Sequence, residues 1–181
     1  MPGKPKPLKK CPLCGSKNVW KTKKDSATGT IFDPGYVCLD CRKTIGSPPY
    51  MKTSRGTEDY RDETKRLVLR EEGIYPEYGE ICMRQLDTGA ELSLTGDSEH
   101  PAVILKKSIP EKQWRNLLDK VFREIYLHEW KKPQDTPHSL SDKMWEVELV
   151  LTHGRRRYFY GWGDHPPYWK ELVRLFKPFF N

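Results

Sequence analysis

At 181 residues the chain is long enough for one or two small domains, and a 12 % share of aromatic residues supplies a modest core. No apolar run approaches the roughly 20 residues of a membrane span, and the Lys- and Pro-rich stretch Met1 to Lys10 lacks the apolar core of a secretory signal; no membrane partner is expected, and a cytoplasmic location is. The formal charge of +7 is uneven: residues 1–56 hold twelve basic against three acidic residues, a balance of +9, which leaves −2 to the remainder.

Residues 1–10 alternate Pro and Lys around one Gly and are expected to form a basic disordered arm. Then come two Cys-x-x-Cys pairs, Cys11-Pro12-Leu13-Cys14 and Cys38-Leu39-Asp40-Cys41. Each pair makes a tight turn that presents two thiolates to one cation, and together they complete a tetrahedron. The loop between them is slightly longer than the commonest zinc spacing of about 15–20 residues. Pro12 and Gly15 suit a knuckle whose N–H groups turn toward sulfur. Val19 to Thr22, Tyr36 to Cys38 and Lys43 to Ile45 read as strands, so residues 11–46 resemble a zinc ribbon. The expected ligands are Cys11, Cys14, Cys38 and Cys41, holding one structural Zn²⁺. The alternative of two disulfides needs an oxidising compartment, which nothing in the sequence suggests. The fifth cysteine, Cys82, lies in an alternating run and is expected to be a small buried strand residue.

Lys21, Lys23, Lys24, Arg42 and Lys43 interleave with Trp20, Phe32 and Tyr36. Phosphate neutralisation and base stacking need that combination. A solvated ribbon surface, with Lys keeping a core-poor module in solution, explains the same residues. No helix-turn-helix, two-histidine finger or aromatic RNA-binding signature is present.

Residues 47–64 read as a polar linker, and a second unit spans 65–181. Leu67 to Leu69, Glu80 to Leu86, Glu91 to Leu94 and Val103 to Leu105 read as strands, with a loop over Gly73 to Gly79 and a hairpin turn at Asp87-Thr88-Gly89. Ser108-Ile109-Pro110-Glu111 has the spacing of a capping box. Behind it Trp114, Leu117, Leu118, Val121, Phe122 and Ile125 recur on one helical face. Trp145, Val147, Leu149 and Leu151 alternate on a strand, His153-Gly154 turns, and Tyr158, Tyr160 and Trp162 alternate on the return. Prolines 166 and 167 open a last amphipathic helix, with Asp164 expected as its cap. The fold class is α+β: a zinc β-ribbon plus a two-layer domain in which two helices cover an antiparallel sheet.

Within residues 65–178, Trp130-Lys131, the Trp145-opened strand and Gly161-Trp162-Gly163-Asp164-His165-Pro166-Pro167-Tyr168-Trp169 are similar to an uncharacterised bacterial domain family. That family repeats a Trp-Lys pair, a Trp-opened strand and a Gly-Ser-Asn-x-Tyr-Pro-x-x-Trp turn. Trp130, Trp145, Gly161, Pro166 and Trp169 fit it, while Trp162, Gly163 and His165 replace the Ser-Asn-Tyr part of the turn. The resemblance implies a fold and no activity.

The five histidines form neither His-x-His nor His-Glu-x-x-His, and no nucleophile elbow, phosphate loop or dinucleotide fingerprint occurs. The leading expectation is a non-enzymatic zinc-binding adaptor whose ribbon meets nucleic acid or a protein partner; a small-molecule substrate is not expected. The alternative is a hydrolase-like enzyme with a cleft near Asp164 and His165. Arg155-Arg156-Arg157 reads as exposed hairpin charge.

Overall fold

The computed structural model describes residues 8–21, 35–45, 50–53, 56–75, 78–96, 102–130 and 143–180. Strands β1 (Val19–Lys21), β2 (Tyr36–Cys38) and β3 (Thr44–Ile45) form a small antiparallel sheet in the order β1-β2-β3. Strands β4 (Tyr50–Thr53) and β5 (Gly56–Asp59) pair as a hairpin, followed at once by a single helical turn, α1 (Tyr60–Glu63). The expected linker therefore carries regular structure. Asp59 caps α1 through the backbone N–H of Arg61, and the Thr64 hydroxyl donates to the Tyr60 carbonyl to close it.

Six long strands build the main sheet: β6 (Thr64–Tyr75), β7 (Tyr78–Leu86), β8 (Gly89–Thr95), β9 (Val103–Ile109), β10 (Met144–Leu151) and β11 (Arg156–Trp162). Their order is β11-β10-β6-β7-β8-β9, and every pair is antiparallel. The β7–β8 hairpin turns at Asp87 and Thr88, with Gly89 at a φ of 111° where a Cβ would strike the Ile109 carbonyl. The loop expected over Gly73 to Gly79 is narrower than that, since β6 runs to Tyr75 and β7 begins at Tyr78; residues 76 and 77 lie outside the described residues.

Alternation sends Leu67, Leu69, Ile81, Met83, Leu92 and Leu94 to one face of the sheet. Helix α2 (Glu111–Arg123) covers them with Trp114, Leu117, Leu118, Val121 and Phe122, all buried. Helix α3 (Trp169–Arg174) buries Trp169 and Leu172 at the β10 end of the same face, where Trp169 lies 5.5 Å from Trp145. The two expected helices are thus present, joined by α1. Two caps differ from expectation. Ser108 stays in β9, held by its pairing with Glu91, and Pro110 takes the N-cap, its carbonyl accepting from Gln113 and Trp114. Asp164 caps nothing: α3 starts after Tyr168, beyond the two prolines.

Trp130, Trp145 and Trp169 share one buried cluster. Trp145 lies over Gly161, its register partner, so closely that a Cβ there would come within 2.7 Å of the indole. Its Nε1 donates to the Asp164 carbonyl. Trp130 meets Phe159 edge-on and donates to the Ile125 carbonyl.

The ribbon is not a separate bead. Leu8, Cys11, Tyr36, Cys38 and Ile45 belong to one buried cluster with the sheet and helices. The Lys10 backbone N–H donates to the Tyr168 hydroxyl, which donates in turn to the Lys10 carbonyl at 2.8 Å. The Lys10 ammonium lies over the Tyr168 ring and pairs with Glu171 at 3.0 Å. Of the arm expected over residues 1–10, the described part, 8–10, is therefore packed against the domain.

Candidate metal centre

The Cys11 N–H donates to the Ser16 carbonyl and the Gly15 N–H to the Cys11 carbonyl, which folds the first pair into a knuckle. The Leu13 N–H points at the Cys11 sulfur at 3.4 Å. In the second knuckle the Cys38 N–H donates to the Lys43 carbonyl. Each knuckle ends in a left-handed residue directly after its second cysteine, Gly15 at a φ of 75° and Arg42 at 55°. Glycine adopts that conformation without cost; arginine does not.

The four sulfurs lie within 4.8 Å of one another. Cys11 and Cys41 are 3.7 Å apart and Cys14 and Cys38 3.6 Å, with no disulfide between them. A tetrahedron of Zn–S bonds about 2.3 Å long sets its sulfurs about 3.8 Å apart. The donor set and its spacing thus fit a tetrathiolate metal site. Burial pushes the Cys11 thiol up to about 12. The backbone N–H of Cys41, and after it that of Asp40, pulls Cys38 down to about 7 against the opposing effect of burial. Metal uptake would convert such thiols to thiolates and release their protons.

A polar brace that sequence reasoning missed ties the knuckles together. The Ser16 hydroxyl donates to Asp40 at 2.5 Å, and the Asn18 side-chain amide donates to the other Asp40 oxygen at 3.0 Å. These donors, Ser16 first, hold the Asp40 carboxyl below its ordinary value. The local signal was available: Ser, Asn and Asp beside a turn answer nearby polar groups through their short side chains.

Trp20 is 63 % exposed on β1, its Nε1 donating to the Asn18 side chain at 3.1 Å. Lys21, Arg42 and Lys43 are exposed as well. Alternation along β1 sends Trp20 and Lys21 to opposite faces, and Tyr36, the register partner of Lys21, is buried. Lys23, Lys24 and Phe32 lie outside the described residues.

His165 has a carboxylate partner, but not Asp164. Its Nε2 lies 2.5 Å from Glu71, whose second oxygen accepts from Trp169 Nε1, and its ring stacks on Trp169. The arrangement clamps the start of α3 to β6. Cys82 is half-buried on the outer sheet face rather than in the core, and burial raises its thiol. The arginine run is engaged, not loose. Arg155 pairs with Glu58 and Glu63, Arg156 with Glu148, and Arg157 donates to the Tyr60 hydroxyl and lies against the Tyr60 and Phe159 rings.

Among the described residues no helix is long and apolar enough to cross a membrane. No family model matches the chain, and no curated protein or solved structure matches it significantly.

Proposed function

We propose that the chain is a non-enzymatic binding protein of the cytoplasm, with one structural Zn²⁺ on Cys11, Cys14, Cys38 and Cys41 and a ribbon surface that contacts nucleic acid. Four thiolates leave no coordination position for water, so the zinc stabilises rather than reacts. The supporting observation is Trp20, a large apolar ring held outward by Asn18 on the most basic part of the chain. Arg42 and Lys43, with Lys23 and Lys24 in sequence, would neutralise phosphates, and Lys21 adds positive charge on the other face of β1.

Fluorescence anisotropy with labelled oligonucleotides tests this reading. The log–log salt slope is expected near −0.9 per neutralised duplex phosphate and near −0.7 on single strands. Trp20→Ala, with zinc content intact, is expected to cost about 1–3 kcal/mol on single strands. Salt-independent binding, or none at low salt, would leave the ribbon a protein-docking module. The hydrolase-like alternative draws support from the His165–Glu71 pair, which has the form of a base and its orienting carboxylate. Against it, both Glu71 oxygens are taken and the His165 ring is stacked.

A further inference from the structure

The outer face of the main sheet, opposite α2, carries chemistry that the metal centre does not use. Alternation along β11 turns Phe159 into the core and Arg156, Tyr158, Tyr160 and Trp162 outward. Tyr158 is 40 % exposed, and Tyr160 and Trp162 are each 36 % exposed. Met144, the register partner of Trp162, is 39 % exposed beside it. Four large apolar side chains thus share one patch on an edge strand and its neighbour, which a monomeric surface seldom leaves without a use.

The charges on this face are layered. Among the described side chains, Arg66, Arg70, Arg84, Lys106 and Arg156 stand against Glu80, Glu91, Glu146 and Glu148. Around β10 and β11 the cations lie outermost: Arg66, Arg70 and Arg156 are 34 %, 38 % and 54 % exposed, whereas Glu148 is 3 % and Glu146 17 %. Glu148 accepts from Arg66 and Arg70 and from the Tyr158 hydroxyl, and it pairs with Arg156. It therefore anchors guanidiniums and one aromatic ring from below. An approaching ligand meets rings and positive charge first.

We propose that the outer face of β10 and β11 binds single-stranded nucleic acid, with bases stacking on Tyr158, Tyr160 and Trp162 and phosphates meeting Arg156 and its neighbouring cations. The rings recur every second residue, about 6–7 Å apart along the strand. That is about twice the 3.4 Å rise of a stacked strand, so it suits bases splayed one per ring. Stacking on aromatic platforms beside a cationic track is tolerant of sequence, and a duplex, whose bases are already stacked, cannot use it. This site stands on observations separate from those at the ribbon.

The test uses the full zinc-loaded chain. Ultraviolet cross-linking to a mixed-sequence single-stranded oligonucleotide, followed by peptide mapping, is expected to mark residues 156–162. Tyr160→Ala and Trp162→Ala are each expected to weaken single-strand binding by about 5- to 150-fold and to leave duplex binding unchanged, while Tyr160→Phe keeps the wild-type affinity to within about twofold. Tyr160→Leu, which keeps bulk and strand character, serves where the alanine variant fails to fold; it is expected to lose affinity as the alanine does. Cross-links confined to the ribbon, with the β11 variants binding normally, would overturn this proposal and leave the ribbon reading standing. No single-strand binding at low salt would overturn it as well, and binding retained after Trp20→Ala but lost after Tyr160→Ala would separate the two in the other direction.

Discussion

The ribbon strands β1, β2 and β3 are two or three residues long, whereas the strands of the main sheet run from seven to twelve. The ribbon buries Tyr36, Ile45 and two of its own ligand cysteines. The sheet buries two helix faces and whole rows of aliphatic side chains. Burial at about 25 cal/mol per Å² can hold the second together; units below about 40 residues with so little apolar area usually need a metal or disulfides. On the proposed reading one chain therefore contains two kinds of stability: one supplied by metal coordination and by docking through Lys10 and Tyr168, the other by a packed core.

Removing the metal is expected to break this comparison most sharply. A strong chelator should abolish amide protection in β1 to β3, because a structural zinc site contributes about 10–16 kcal/mol of apparent binding energy. Protection in β6, β7 and β10 should persist, read by hydrogen exchange with mass spectrometry. Next in size is Leu118→Ala, a truncation at a position 1 % exposed, expected to cost about 2–5 kcal/mol in urea denaturation whether or not the chelator is present.

A smaller effect concerns acid. Burial acts to raise the Glu148 carboxyl, but the charges and hydrogen bonds of Arg66 and Arg70 prevail and hold it below its ordinary value. A carboxylate lowered in the folded state stabilises the fold at pH values above its unfolded pKa, and that stability is lost as pH falls through the folded value. Stability measured by urea denaturation should therefore decline on acidification below about pH 4, and Glu148→Gln should flatten that decline. Smallest is Tyr168→Phe, which removes the hydroxyl that both donates to and accepts from Lys10; about 1 kcal/mol is expected, with faster exchange in residues 8–11.

What could be read from the sequence was what is local. The knuckles follow from residues three apart, α2 from a 3.6-residue period, and the β7–β8 turn from Asp87-Thr88-Gly89. The errors lie where a distant partner overrode a local motif. The Ser108 capping box has the right letters, but the β8–β9 ladder runs through Ser108 to Ile109, which is buried opposite Ala90. The β4–β5 hairpin lacks an alternating apolar signal, so its segment read as a linker. The Lys10–Tyr168 seam and the His165–Glu71 contact join residues 158 and 94 positions apart, and no pattern within a window could pair them. The engaged arginines follow the same rule: Arg155 finds Glu58 and Glu63 on elements whose existence the sequence did not suggest.

On the proposed reading, four cysteines hold one structural zinc on which the ribbon depends. Native mass spectrometry of the full chain, before and after Cys38→Ser, tests it most directly. One zinc per chain is expected in the wild type; in the variant that zinc is lost and, read by hydrogen exchange, so is the protection of β1 to β3. A chain that binds no metal, or a zinc content unchanged by Cys38→Ser, would contradict it.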